Sequence, residues 1–257
     1  MEREADLSRA EQRWIAAMRK SKKGRQKPIV RTTREIWNRL QVEEGQMKKV
    51  EAKEFYRSAL AYVRTHHSDE LRWVKNIGPD TFENTETEEF LSQYCWAVYS
   101  AYFKESILQQ KFDSLEKAFH EFDIEKLYRM KSIKPVLSII NHQTKAESFL
   151  KGVKQIYREG FPNFKARLRS HGMVILQELP YIGKITQKLL ARNIGLLDVS
   201  KDDIWLRRLA QKFSAPSVQA LTSFLAQEFR TREGIVDLVL WRYCADGGLK
   251  QSMTGSR

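Results

Sequence analysis

The residues best placed to do chemistry lie between Leu179 and Phe213. The stretch opens Leu179-Pro180-Tyr181-Ile182-Gly183-Lys184-Ile185-Thr186 and runs on helically to Asn193. Pro180 ends one helix, and Gly183 permits a sharp turn. The helix that follows starts with N–H groups that have no acceptor within it. Such a helix start is a phosphate site, and Lys184 adds charge there. Next come Asp198, then Asp202-Asp203-Ile204-Trp205-Leu206-Arg207-Arg208-Leu209, which puts carboxylates at the head of another helix. A bound phosphate with a carboxylate beside it points to chemistry on DNA. The residues alone also allow an ordinary helical hairpin, with Asp202 and Asp203 merely capping a helix.

The elements that must position these groups read as helices. Phe90, Leu91, Tyr94, Cys95, Val98 and Tyr102 recur at steps of three and four, as do Ala146, Phe149, Leu150, Val153, Ile156 and Tyr157. Val218, Leu221, Leu225 and Phe229 continue the habit, and Ile235, Leu238, Val239 and Tyr243 repeat it near the C-terminus. No alternation of period two is sustained, so the expected fold is all-α. Residues 5–18 read as a short helix and 33–62 as a longer one. Between them Arg19, Lys20, Lys22, Lys23, Arg25 and Lys27 form a basic link with no acid. That link is either a clamp on a DNA backbone or a solvated tether. The pattern breaks at Asn76-Ile77-Gly78-Pro79-Asp80. The expected division is a basic helical extension over 1–81, a main domain over 82–250 and a tail over 251–257.

The formal charge is +13 in 257 residues, which favours a polyanionic partner. From Lys145 to Lys212 fourteen Lys/Arg face six Asp/Glu, more of one sign than a solvated surface needs. Cys95 and Cys244 are too few for a disulfide framework and read as buried thiols. No stretch is apolar for long enough to span a bilayer, and the charged N-terminus lacks a signal-peptide core. The expectation is a cytoplasmic protein. His66, His67, His120, His142 and His171 are scattered without metal-ligand spacing, so no metal and no cofactor are expected.

The same residues resemble the helix-hairpin-helix DNA glycosylases. Leu179-Pro180-Tyr181-Ile182-Gly183 is similar to that superfamily's Leu-Pro-Gly-Val-Gly turn. Asp203-Ile204-Trp205-Leu206-Arg207-Arg208-Leu209-Ala210-Gln211-Lys212 resembles its Asp-Thr-His-Val-x-Arg-Leu-Ala-x-Arg segment. Tyr99-Ser100-Ala101-Tyr102-Phe103-Lys104-Glu105 is similar to its Leu-Ser-Ala-Gln-x-Thr-Asp, and Lys145-Ala146 to a recurring Lys-Ala pair. The apolar helix Val236–Tyr243 sits where the closing helix does. The resemblance covers about residues 86–246. It implies two helical subdomains with the active site in the cleft between them.

It also implies a set of roles. Register places Asp203 on the catalytic aspartate, with Asp202 as the alternative one position away. A carboxylate there stabilises the oxocarbenium-like sugar and orients water. The base is flipped into a pocket, for which Tyr102 and Trp205 are candidates. Tyr102 reads equally well as core. Tyr181, Gly183, Lys184, Ile185, Lys188, Arg192, Arg207 and Arg208 are the expected DNA contacts, with the N–H groups of Gly183 and Ile185 on a phosphate. Members that also cut the strand carry a lysine where this chain has Ile185, which cannot form a Schiff base. The resemblance therefore implies a monofunctional enzyme that leaves an abasic site in double-stranded DNA and acts as a monomer. Tyr181, Tyr102 and Trp205 depart from the usual glycine, glutamine and histidine. These departures leave room for an unusual base, such as a hypermodified pyrimidine of phage DNA, and for a role in defence rather than repair. A non-catalytic DNA-binding module and a base-modifying enzyme of phage type are the rival readings.

Overall fold

The computed structural model describes residues 47–249. The helix expected over 5–18, the basic link, the first part of the helix expected over 33–62 and the tail lie outside them. Every regular element among the described residues is helical, as the sequence periodicity requires. In chain order these are α1 (Lys49–His66), α2 (Ser68–Asn76), α3 (Pro79–Asn84), α4 (Thr87–Ser100) and α5 (Glu105–Ala118). After a 3-10 turn at His120–Phe122 come α6 (Ile124–Arg129), α7 (Lys134–Ile139), α8 (Gln143–Glu159) and α9 (Phe161–His171). A second 3-10 turn, Gly172–Glu178, leads to α10 (Thr186–Asn193), α11 (Ile204–Lys212), α12 (Val218–Glu228) and α13 (Glu233–Ala245). No helix of the described residues is long and apolar enough to cross a membrane.

Two hydrophobic cores divide these helices into lobes. The first is built around α4, which buries Phe90, Leu91, Tyr94, Cys95, Val98 and Tyr99 against Phe119, Phe122, Phe149, Val153 and Leu190. The second is built around α13, whose Val236, Val239, Leu240 and Cys244 meet Phe55, Tyr56 and Ala59 of α1 and Leu206, Leu209 and Phe213 near α11. α13 is buried nearly all round, as a central helix must be.

The main body does not begin near residue 82. Ala52, Phe55, Tyr56, Ala59 and Val63 put an apolar stripe on α1, and Leu71 and Val74 do so on α2. Both helices bury those stripes in the second core. The break at residues 76–80 is where the chain leaves this lobe to build the other. Arg232 holds the exit, its guanidinium donating to the carbonyls of Val74 and Ile77 at the end of α2. The chain returns through residues 197–203, where Asp198 accepts the N–H groups of Glu233 (3.0 Å) and Gly234 (2.9 Å) and so caps α13.

The first lobe fixes the hairpin of residues 179–185 through one hydroxyl. Tyr94 crosses α8 and donates to the carbonyl of Pro180 at 2.8 Å. Its ring passes where a side chain on Gly152 would stand: a Cβ there would lie 2.3 Å from the Tyr94 oxygen. Tyr94 is fully buried and has nowhere to go. Gly152→Ala is expected to destabilise the fold by about 1–3 kcal/mol, the usual cost of overpacking. Urea unfolding of the two proteins measures this, and an unchanged midpoint would contradict the packing described here.

Candidate active site

The hairpin is pinned from below by Leu179 and Ile182, both buried in the first core. The element before it is a 3-10 turn rather than the α-helix expected. The residue in the left-handed region is Tyr181, at φ 70, while Gly183 keeps an ordinary φ. The turn geometry therefore persists without glycine, at a backbone cost of ~1–3 kcal/mol for a bulky residue. The Tyr181 ring meets His142 edge-on at 6.4 Å and lies 5.8 Å from the ammonium of Lys145.

The N–H groups expected to meet a phosphate are only partly free. That of Gly183 donates to Thr186 Oγ1 at 2.8 Å, so the Gly183 donor is already engaged. Those of Lys184, Ile185 and Thr186 have no acceptor among the described residues. Lys184 is exposed and Ile185 is 37% exposed, both at the head of α10. Lys188, one turn on, is half-buried.

Arg192 corrects the sequence reading. It is buried, and its guanidinium pairs with Asp237 of α13 and donates to Asn193 Oδ1 at 3.3 Å. It joins the lobes rather than facing solvent. Arg207 is exposed but hydrogen-bonds Asp202 Oδ1 at 2.9 Å, and this bond pushes the Arg207 guanidinium further up. Arg208 stacks over Trp205 at 5.1 Å.

Tyr102 is neither core nor pocket wall. It is fully exposed and sits at φ 56 in the turn after α4. Lys145 holds that turn from beneath. Its Nζ donates to the carbonyls of Tyr99 (2.7 Å) and Ala101 (2.6 Å), and the residue is 1% exposed. The ammonium also lies 5.4 Å from the Phe103 ring. One buried lysine thus ties the hairpin, the Tyr102 turn and Phe103 together.

Phe103 lines a cavity of about 380 Å³ between the lobes. Trp96 and Phe103 come from the first lobe, Trp205 and Trp241 from the second. Lys104, Glu105, Lys201, Asp237 and Arg242 supply charge. Arg242 stacks on Trp241 at 4.6 Å and donates to Glu105 Oε1 and, through Nε, to Glu70 Oε2, each at 3.0 Å. Burial pushes the Glu105 carboxyl up, with Arg242 opposing it.

Asp203 is the N-cap of α11, its Oδ1 accepting the N–H groups of Trp205 (2.9 Å) and Leu206 (3.0 Å). Its Oδ2 lies 3.5 Å from Lys201 Nζ. Lys201 and Trp205 line the cavity on either side of Asp203, whose own side chain is 13% exposed and set back from the wall. Asp202 points outward to Arg207. The structure therefore puts Trp205 on the cleft wall, sets Asp203 back from it and leaves Asp202 on the surface.

Sequence reasoning missed Trp96, Phe103, Lys201, Asp237 and Trp241. Two signals were present. Asp237 is the one acid inside the apolar run Ile235–Leu240, and Lys201 stands two residues before Asp203.

The all-α fold is similar to that of a solved glycosylase/lyase. It matches the crystal structure of Methanocaldococcus jannaschii 8-oxoguanine glycosylase/lyase in complex with a 15mer DNA containing 8-oxoguanine. The TM-score is 0.50 at 16% identity, over 74% of this chain and 96% of that one. No protein-family model matches the chain, and no curated protein matches it.

Lys145→Met leaves the carbonyls of Tyr99 and Ala101 without their donor, at about 1–3 kcal/mol for each that stays dry. Burial holds the Lys145 ammonium down at about 8, below its ordinary value of 10.5. Between those values the unfolded chain keeps a proton that the folded chain has lost, so this group's contribution to stability rises with pH. The stability gap between wild type and Lys145→Met should widen from pH 8 to pH 10. Urea titrations at both pH values measure it, and a constant gap would refute the assignment.

Proposed function

We propose that this chain is a DNA glycosylase that draws a modified or damaged base into the cleft between its lobes and hydrolyses the N-glycosidic bond. The observation that carries the reading is the aromatic cleft itself, with Trp96, Phe103, Trp205 and Trp241 around about 380 Å³ and Asp203 paired with the Lys201 that lines it. Aromatic faces suit a flipped base, and a carboxylate beside its sugar suits the positive charge that develops as the bond breaks. The structural neighbour being a glycosylase/lyase bound to DNA supports the same reading.

In this reading the free N–H groups of Lys184, Ile185 and Thr186 take a phosphate of double-stranded DNA, with Lys184 and Lys188 adding charge. Tyr102 enters the duplex where the base departs. Its full exposure on a turn held by Lys145 fits a probe that is presented rigidly. Ile185 gives the hairpin no amine, so bond cleavage falls to water oriented by Asp203. The proposed substrates include the hypermodified pyrimidines of phage DNA, which would make the protein a monomeric defence factor.

The test is base release from a panel of duplexes carrying uracil, alkylated bases, 8-oxoguanine or phage pyrimidines, read as alkali-labile sites. Asparagine caps a helix as well as aspartate does, so Asp203→Asn keeps the α11 cap and removes only the charge. It is expected to cut the rate by on the order of 10²–10³-fold, as loss of one electrostatic stabiliser does. Asp202→Asn should change little, since an exposed ion pair is worth ~0–1 kcal/mol. Absence of alkali-labile sites on every duplex, with salt-sensitive binding retained, would leave a DNA-binding module instead.

Tyr102→Ala is expected to weaken binding to a duplex with a mismatched or abasic position about tenfold, in line with ~1–3 kcal/mol per stacked aromatic. Fluorescence anisotropy measures this. Equal affinity for both proteins would remove Tyr102 from the interface.

A further inference from the structure

We propose that Lys104 holds a phosphate of the extruded nucleotide at the rim of the cleft, separate from the phosphate at the hairpin. The inference rests on the reading of the cleft as a site for a flipped nucleotide. Aromatic walls take in a base. The phosphates of the same nucleotide stay charged and joined to the strand, so they remain at the rim. A cation there that no protein carboxylate neutralises suits them, because DNA binding draws on Lys and Arg charges that replace counterions.

Lys104 is the one charged residue of the cleft lining without a partner among the described residues. Arg192 is paired with Asp237, Lys201 with Asp203 at 3.5 Å, and Arg242 with Glu105 at 3.0 Å. Asp246 meets His67 Nε2 at 2.7 Å. Arg192, Lys201 and Arg242 are buried or half-buried, whereas Lys104 is exposed. The cleft thus balances its inner charges and leaves a single positive one on the outside.

The backbone of Lys104 is fixed on both sides. Three residues earlier, the carbonyl of Ala101 accepts from Lys145 Nζ at 2.6 Å. The Lys104 carbonyl accepts the N–H groups of Ile107 (3.1 Å) and Leu108 (3.2 Å) at the start of α5. Its chain neighbours Phe103 and Glu105 line the same cleft, and the fully exposed Tyr102 stands two residues before it. Backbone displaced by Tyr102 therefore arrives beside an uncompensated ammonium.

The experiment uses the full chain and a duplex with one tetrahydrofuran position, which offers an extruded backbone and no base to remove. Methylphosphonate replaces, one at a time, the phosphate on either side of that position and deletes a single charge. Fluorescence anisotropy over a salt series compares wild type with Lys104→Met and Lys104→Arg. Lys104→Met is expected to make the slope of log K against log salt shallower by about 0.9, the share of one phosphate. One of the two methylphosphonates should weaken binding by wild type and Lys104→Arg and leave Lys104→Met unaffected. Lys117→Met removes the same charge from an exposed site outside the cleft lining and should keep both the slope and the methylphosphonate penalty. An unchanged slope in Lys104→Met, or the same methylphosphonate penalties in it as in wild type, would overturn the proposal and leave the reading of the cleft standing. A wild type that binds the tetrahydrofuran duplex no better than an intact one, or without salt dependence, would overturn the reading of the cleft itself.

Discussion

The site depends on a carboxylate buried where two lobes meet. Asp237 projects from the central helix of the second lobe and pairs with Arg192 at the end of α10, which is packed into the first. Its other oxygen accepts the N–H of Lys201. Burial raises the Asp237 carboxyl above its usual range, and the Arg192 guanidinium opposes that rise. A buried pair of this kind adds little net stability, yet losing either partner alone costs several kcal/mol because a bare charge remains. Its effect is positional. One carboxylate sets the distance between α10, α13 and the loop that carries Lys201 and Asp203.

Lys145 plays the matching part beside the hairpin. The carbonyls of Tyr99 and Ala101 would otherwise end α4 unpaired, and both find the same ammonium. Tyr102 and Tyr181 occupy left-handed backbone that bulky residues avoid, and each sits beside the Lys145 network. Strain of this sort persists where neighbouring contacts over-determine it. Two exposed edges are thereby held in fixed shape.

The periodic elements were legible in the sequence, because α4, α8, α12 and α13 each repeat apolar residues at helical spacing. The hairpin and the Asp203 cap were legible for the same local reason. The lobe boundary was not. Residues 49–77 look like an extension because their partners lie more than 120 residues further along the chain. Arg192 looked like a phosphate ligand because nothing beside it announces Asp237. The aromatic cleft gathers Trp96, Phe103, Trp205 and Trp241 from both lobes, and no short pattern encodes such a meeting.

The case of Ile185 shows the limit of register most clearly. Reading an isoleucine at the hairpin as the absence of amine chemistry assumes that the amine must come from that position. Ile185 sits at the head of α10, 37% exposed and away from the aromatic cleft. Lys201 reaches that cleft from the loop before α11, and it is fixed by the same Asp237 that joins the lobes. Asp203 pairs with Lys201 at 3.5 Å and is set back from the wall that Lys201 lines. Which amine lines the cleft is therefore a property of the packing rather than of the hairpin motif.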